Sequence, residues 1–340
     1  MNMSNRKSAK SIISSIAQVI VWPIGVYLIF FILCRVLPGA GAFGSVNSVK
    51  MVLTQAVPTT MMAWAMSGNM MSKRWDFSVG NMMILTCLLG VGTGKSLGFG
   101  PWGMMVCILF FGTVFGLVNG ILYVTLKIPM LLISVGMMKI YEFIGYIYNK
   151  GQPAELRGSK AMFGHEPWIF ILLVVMGLVY YMVYSRSSFG RNYYALRDGQ
   201  AIAVNNNIDE RRNTLVCFLI LGIFVGMAAV CYSGMSGIVE SSPTQNNSMN
   251  LMCNAFAPIF MGRYLSKHIN ITAGIFIGTL TMKLLTSGII AVGLPSPMQS
   301  VASGAFLILL MGISENQDRM NDWAARKKLA AQIQKATTLS

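Results

Sequence analysis

The sequence predicts an all-α integral membrane protein with about ten transmembrane helices, a broken or re-entrant segment near residues 52–80, and both termini in the cytoplasm. Three observations carry this expectation. The 340 residues are 54% hydrophobic and only 11% charged, whereas a soluble domain carries about 25% charged residues. So few charges cannot clothe a soluble particle of this size. The apolar residues also recur in many long, separate runs, which excludes a soluble domain with one anchor. Finally, basic residues collect in particular loops and tails, as they do on the cytoplasmic side of membrane proteins.

Residues 1–14 are polar and basic, with Arg6, Lys7 and Lys10, and read as a cytoplasmic tail. The apolar run from about Ser15 to Leu37 exceeds the 7–15 residues of a signal-peptide core. It is long enough to cross ~30 Å of hydrocarbon at 1.5 Å per residue, so it reads as a retained first helix. Further apolar segments fall at about 50–68, 77–98, 101–126, 129–148, 167–185, 213–233, 250–262, 270–292 and 297–313. The stretch 52–80 is interrupted by Pro58, Gly68 and Gly80 and contains Lys73, Arg74 and Asp76. Irregular backbone at membrane depth must be buried in protein or line a watery path. The transmembrane region is therefore 15–313, and 314–340 is a cytoplasmic tail.

Loop charges fit this topology. Segment 186–212 holds Arg186, Arg191, Arg197, Arg211 and Arg212, and the tail holds Arg319, Arg326, Lys327, Lys328 and Lys335. The loops expected outside, around 234–249 and 293–296, contain neither Lys nor Arg. The loop 149–166 is an exception, its Lys150, Arg157 and Lys160 partly offset by Glu155 and Glu166. Within the tail, Trp323, Leu329 and Ile333 can share a helical face on the inner membrane surface.

Several chemistries are excluded. The net charge of +15 reflects orientation in the bilayer; no basic stretch joins an aromatic platform of the kind nucleic acid binding uses. The six cysteines lie in or beside apolar segments without a Cys-x-x-Cys pair, so neither disulfides nor a zinc site are expected. Gly90-Val-Gly-Thr-Gly-Lys-Ser96 resembles a phosphate loop, but Leu89 stands where its first glycine belongs. With two histidines, few carboxylates and no hydrolase motif, the chain is not an enzyme. No segment can build a soluble ATPase domain. Any ATP must be bound by another chain, and this one needs no cofactor.

The most informative loop is 187–212, with a short helix expected from Gln200 to about Asn205 and small residues Ala201 and Ala203. Its spacing alone suits either a helix seated in a partner's groove or an ordinary inside loop. Phe189-Gly-Arg-Asn-Tyr-Tyr-Ala-Leu196, then Ala201-Ile-Ala203 and Ile208, resembles the cytoplasmic loop of ribose-type and other monosaccharide permeases of ATP-binding-cassette (ABC) importers. Trp75-Asp-Phe-Ser-Val-Gly80 is similar to that family's Ile-Asp-Leu-Ser-Val-Gly, and Phe115-Gly-Leu-Val-Asn-Gly120 to its Gly-Leu-x-Asn-Gly. The resemblance runs over roughly 50–313 in the same order. The departures are Arg197-Asp198 for Gly-Gly, Val204 for an arginine, Asn207 for a glycine, Glu142-Phe143 for Arg-Gly, and Phe260-Met-Gly-Arg263 for a Leu-Gly-Gly turn.

The resemblance implies a permease in the cytoplasmic membrane of a bacterium. It would pair with a second copy or paralogue, be driven by ABC ATPase subunits, and receive solute from an extracellular or periplasmic binding protein. Gly190, Arg191, Tyr194, Ala195, Leu196, Ala201, Ala203 and Ile208 would then form the ATPase-coupling loop. Polar residues inside apolar segments are candidates for the translocation path: Asp76, Ser78, Asn81, Asn119, Glu142, Asn254, Thr286 and Ser287. Each also has a purely structural reading. Asp76 can cap a helix, the hydroxyls can bond back to their own helix, and Asn119 can serve close packing beside Gly120. Glu142 can pair with Lys283, or Lys283 can snorkel. Two other readings share the pattern: a branched-chain amino-acid importer permease and an ion-coupled secondary transporter.

Overall fold

A computed structural model describes residues 9–37, 41, 43–148, 150–156, 158–241, 247–266 and 268–295, with scattered positions between 298 and 316. The protein is a mostly α-helical, multi-pass membrane protein. Its helices are α1 (Ala9–Val36), α2 (Val46–Met71), α3 (Val79–Ser96), α4 (Pro101–Leu126), α5 (Met130–Tyr148), α6 (Trp168–Tyr181), α7 (Ser188–Asp198), α8 (Gln200–Asn205), α9 (Glu210–Ser236), α10 (Asn247–Leu265) and α11 (Ile271–Ala291). A π-helical turn, Met182–Arg186, extends α6.

Among the described residues, six helical stretches are long and apolar enough to span a membrane, not clearly ten: Val19–Val36, Pro101–Leu126, Met130–Tyr148, Trp168–Arg186, Glu210–Ser236 and Ile271–Ala291. Helices α2, α3 and α10 are long but less apolar. The physical reason is clearest for α2, which is buried without a break from Ala56 to Met70. A helix enclosed by protein on every side need not present an apolar face to lipid. It can carry Thr60, Ser67 and Asn69 in the core. Of the expected tenth segment, 297–313, only scattered positions are described, ten residues and all of them helical, and of the tail 314–340 only Asn316 is among the described residues.

The expected interruption in 52–80 is relocated. Helix α2 runs unbroken through Pro58 and Gly68, and its 26 residues measure about 39 Å, so it is not re-entrant. Beside the proline, the Thr59 and Thr60 hydroxyls bond back to their own helix, donating to the carbonyls of Gln55 and Ala56 at 3.3 and 2.7 Å, and neighbouring helices enclose the stretch from Ala56 onward. The chain breaks instead at 72–78, between α2 and α3. The first helix also starts earlier than expected, at Ala9 within the presumed tail. The phosphate-loop look-alike is the last turns of α3, where Gly90 and Gly94 pack on Ile108 and Met104 of α4. Likewise Phe260–Arg263 continue α10 and make no turn.

The core is built around α2, α3, α4 and α9. Gly112, Gly116 and Gly120 of α4 face Gly222, Gly226 and Phe218 of α9. A Cβ placed on Gly116 would lie 2.5 Å from the Phe218 carbonyl oxygen and 2.7 Å from the Gly222 Cα. Only glycine permits that approach, the small-residue packing of membrane helices. Methionine is prominent at this centre: Met61, Met62, Met66, Met82, Met83 and Met104 are all buried.

The two ends of the bundle differ. One carries the 72–78 turn, α7, α8 and the start of α9. At the other, two short strands, β1 (Ala154–Glu155) and β2 (Ile238–Val239), pair antiparallel with Ala154 opposite Val239. There a 3-10 helix, Gly158–Gly164, packs against Gly234 of α9, and Trp102, Phe163 and Trp168 meet edge to face.

Candidate coupling site and polar interior

The loop singled out in the sequence folds into two short helices. Ser187 caps α7 by accepting from the Gly190 N–H at 3.0 Å, the usual service of an N-cap serine. Gly190 is required here, because a Cβ would collide with the Tyr184 and Val183 carbonyls. Asp209 caps α9 in the same way, its carboxylate accepting from the Arg212 N–H at 3.1 Å. Between these caps, Gly199 joins α7 to α8.

The eight expected coupling residues divide by exposure. Arg191, Ala195 and Ala201 are exposed, Tyr194, Leu196 and Ile208 half-buried, and Gly190 and Ala203 buried. Ala203 faces inward under α8, where its carbonyl accepts from the Ile208 N–H at 3.2 Å. The outward face of α8 instead presents Ile202, 70% exposed, and Val204, 46% exposed. Neither was among the expected coupling residues. An apolar residue pointing out of a polar segment was the available signal.

A second missed residue is Tyr193. Its hydroxyl donates to the Gly68 carbonyl oxygen at 2.8 Å in a buried contact. Gly68 lies in the last turn of α2, where carbonyls lack helical partners. The next two are served by the Arg74 N–H to Asn69 and the Lys73 N–H to Met70. Tyr193 thus bolts α7 to the end of α2, within an aromatic cluster of Tyr180, Tyr184, Phe189 and Tyr194. Burial pushes the Tyr193 phenol well above its usual range. Burial also raises the Tyr194 phenol, against the pull of Arg197, whose guanidinium lies 4.8 Å from the ring centre. Arg74 extends the same junction to α9, donating to the Thr214 hydroxyl at 3.3 Å. A cavity of about 360 Å³ opens here, bounded by Arg74, Tyr193, Arg197, Gln200 and Glu210.

The expected path residues are brought together in part. Asp76, Ser78 and Asn119 form one buried network. The Asp76 carboxylate accepts from the Ser78 N–H at 2.9 Å and hydroxyl at 2.6 Å. The Asn119 amide donates to Asp76 at 3.2 Å and to Ser78 at 2.8 Å, and its oxygen accepts from Tyr141 at 2.8 Å. Asn81 is separate and donates to the Met138 carbonyl at 2.8 Å, tying α3 to α5. These bonds fix the 72–78 turn against α4 and α5. Glu142 pairs with Lys139, one turn back, at 2.8 Å, and not with Lys283. Asn254 is half-buried on α10. Thr286 and Ser287 are half-buried on α11, and the Thr286 hydroxyl bonds its own helix. Among the described residues no cluster of His, Cys, Asp and Glu could hold a metal.

Residues 48–311 match the family described as branched-chain amino acid transport system / permease component. A relative named autoinducer 2 import system permease protein LsrC, from Photorhabdus luminescens, is 24% identical over 277 residues, 78% of this chain and 81% of its own length. The protein of the same name from Klebsiella pneumoniae subsp. pneumoniae is 23% identical over 298 residues, 85% of this chain and 84% of its own. A solved chain from an inward-facing metal-chelate type ABC transporter superposes with a TM-score of 0.46 at 12% identity, over 87% of this chain and 98% of that one.

Proposed function

The chain belongs to the branched-chain amino acid transport system / permease component family, and from that premise we propose that it imports a monosaccharide or similar small polar solute. It is the permease subunit of an ABC importer, an integral protein of the inner or plasma membrane, and not a catalyst. ATP is hydrolysed on a separate ATPase chain, which drives this subunit and a second permease copy or paralogue. An extracellular or periplasmic binding protein delivers the solute. The end bearing α7 and α8 is cytoplasmic, as are both termini. The remaining helices complete about ten crossings.

The observation that carries this reading is the α7–α8 pair. It offers Ala201, Ile202 and Val204 outward while Tyr193 ties it to the end of α2. A rigid apolar knob bolted to a central helix suits transmission of ATPase closure into the bundle, a shift between two packed arrangements. The relatives named as import-system permeases support the inward direction. On the solute side, Asn254, Thr286 and Ser287 are the path residues least committed to the protomer's own core.

The test is assembly followed by uptake. The detergent-solubilised chain is expected to hold its ATPase, and Ala201→Trp is expected to release it while the permease remains folded. Ribose uptake by the reconstituted complex would then support the sugar reading. Leucine uptake would favour the branched-chain amino-acid reading that the family description carries. Solute uptake driven by an ion gradient with no ATPase would sink the proposal.

A further inference from the structure

One intramembrane charge is left without a role. Lys283 lies near the middle of α11, with Thr286 and Ser287 on the same face at i+3 and i+4. A cavity of about 90 Å³ opens beside it between α2, α3, α9, α10 and α11. Gln55, Thr59, Tyr232 and Lys283 supply its polar wall, and Met62 and Leu251 stand among its apolar lining. Among the described residues the Lys283 ammonium makes neither an ion pair nor a hydrogen bond. Glu142, the carboxylate that sequence reasoning offered it, is held by Lys139.

An unpaired ammonium in the middle of a membrane helix is expensive and is a mark of function. Snorkelling would spare that cost, but the half-buried side chain borders a cavity between the helices. We propose that this cavity is a subsite for the anionic head group of a small solute, a carboxylate or a phosphate, with Lys283 as its counter-charge. The Gln55 side-chain amide supplies a hydrogen-bond donor beside it, while the Thr59 hydroxyl is already given to the Gln55 carbonyl. The volume lies below the ~150 Å³ that accepts benzene, so the subsite takes a head group and not a whole sugar ring. This deepens the importer reading and rests on it only in calling the ligand a cargo.

The experiment uses the full chain in phosphatidylcholine nanodiscs and reads acylation of Lys283 by an amine reagent, by mass spectrometry. D-glycerate and glycerol are the probes, since they share a skeleton and differ in charge. Glycerate is expected to protect Lys283 in a saturable way, and glycerol is not. Glycerate is also expected to raise the unfolding midpoint of the wild type and of Lys283→Arg. In Lys283→Gln its affinity should fall roughly 30-fold or more, the loss typical when a buried charge loses its partner. Equal protection by both probes, protection by neither, or a Lys283 inert to the reagent from the start would overturn the proposal. So would shielding that appears only in phosphatidylglycerol discs and ignores glycerate, because the anion would then be a lipid head group. No ATPase enters this assay, so failure of the importer reading would show separately, as loss of ATPase assembly.

Discussion

Replacing Asn119 by leucine tests whether the Asp76–Ser78–Asn119–Tyr141 network holds the 72–78 turn in place. The two side chains are close in size, so the change removes polar contacts and leaves the volume nearly intact. Asn119 makes three bonds in the network, to Asp76 at 3.2 Å, to Ser78 at 2.8 Å and from Tyr141 at 2.8 Å. At about 1 kcal/mol per buried hydrogen bond the loss is about 3 kcal/mol; at the ~0.6 kcal/mol typical of membrane interiors it is about 2 kcal/mol. Either value is a large share of the stability of an ordinary protein. The assay is unfolding of the purified protein in mixed detergent by increasing denaturant. The midpoint is expected to fall for Asn119→Leu, and by less for Tyr141→Phe. The double variant should lose less than the sum, because both remove the same bond. An Asn119→Leu midpoint equal to wild type would refute the reasoning, and strict additivity would show that Tyr141 stands outside the network.

Three further outcomes are expected. Ile202→Glu should leave the unfolding midpoint unchanged, since the side chain is 70% exposed, yet abolish recovery of the ATPase; intact assembly would remove α8 from the interface. Gly116→Leu should cost about 3 kcal/mol or more, because its side chain must enter space held by Phe218 and Gly222 of α9; unaltered yield from the membrane would contradict the seam. Tyr193→Phe should cost about 1–3 kcal/mol by stranding the Gly68 carbonyl. It should also flatten the alkaline limb of stability. With the folded phenol raised, the unfolded chain ionises first, so stability falls as pH climbs above about 10. A variant with the same alkaline limb as wild type would place Tyr193 in water.

Helix positions were largely legible because lipid and core both demand apolar runs. The expected 101–126 coincides with α4, and 129–148 differs from α5 by one residue. Pro58 misled because a breaker rule made for isolated helices ignores neighbours: here the helix is enclosed by protein from Ala56 to Met70. Polar partnering was less legible. Glu142 and Lys139 stand three apart on one helix, a spacing visible in the chain, yet the sequence reading weighed only Lys283 as a partner, beside the alternative that Lys283 snorkels. The network of Asp76 with Asn119 joins residues 43 positions apart, and no local pattern announces it. In the coupling loop, a family motif weighted Tyr194, whereas burial selects Tyr193. Two adjacent tyrosines differ only by which side of a helix faces the bundle, and that side is set by tertiary packing.

The thioether-rich centre has a consequence for wear. A methionine sealed between helices is shielded from oxidants, and one bared by their separation gains a polar sulfoxide that cannot return to an apolar site. Met61, Met62, Met82 and Met83 sit where α2 and α3 meet the rest of the core. Damage there would accrue with each opening of the bundle, not with time alone. Sulfoxide at these four positions would then act as an odometer, and a protein working hard under oxidising conditions would age faster than an idle one.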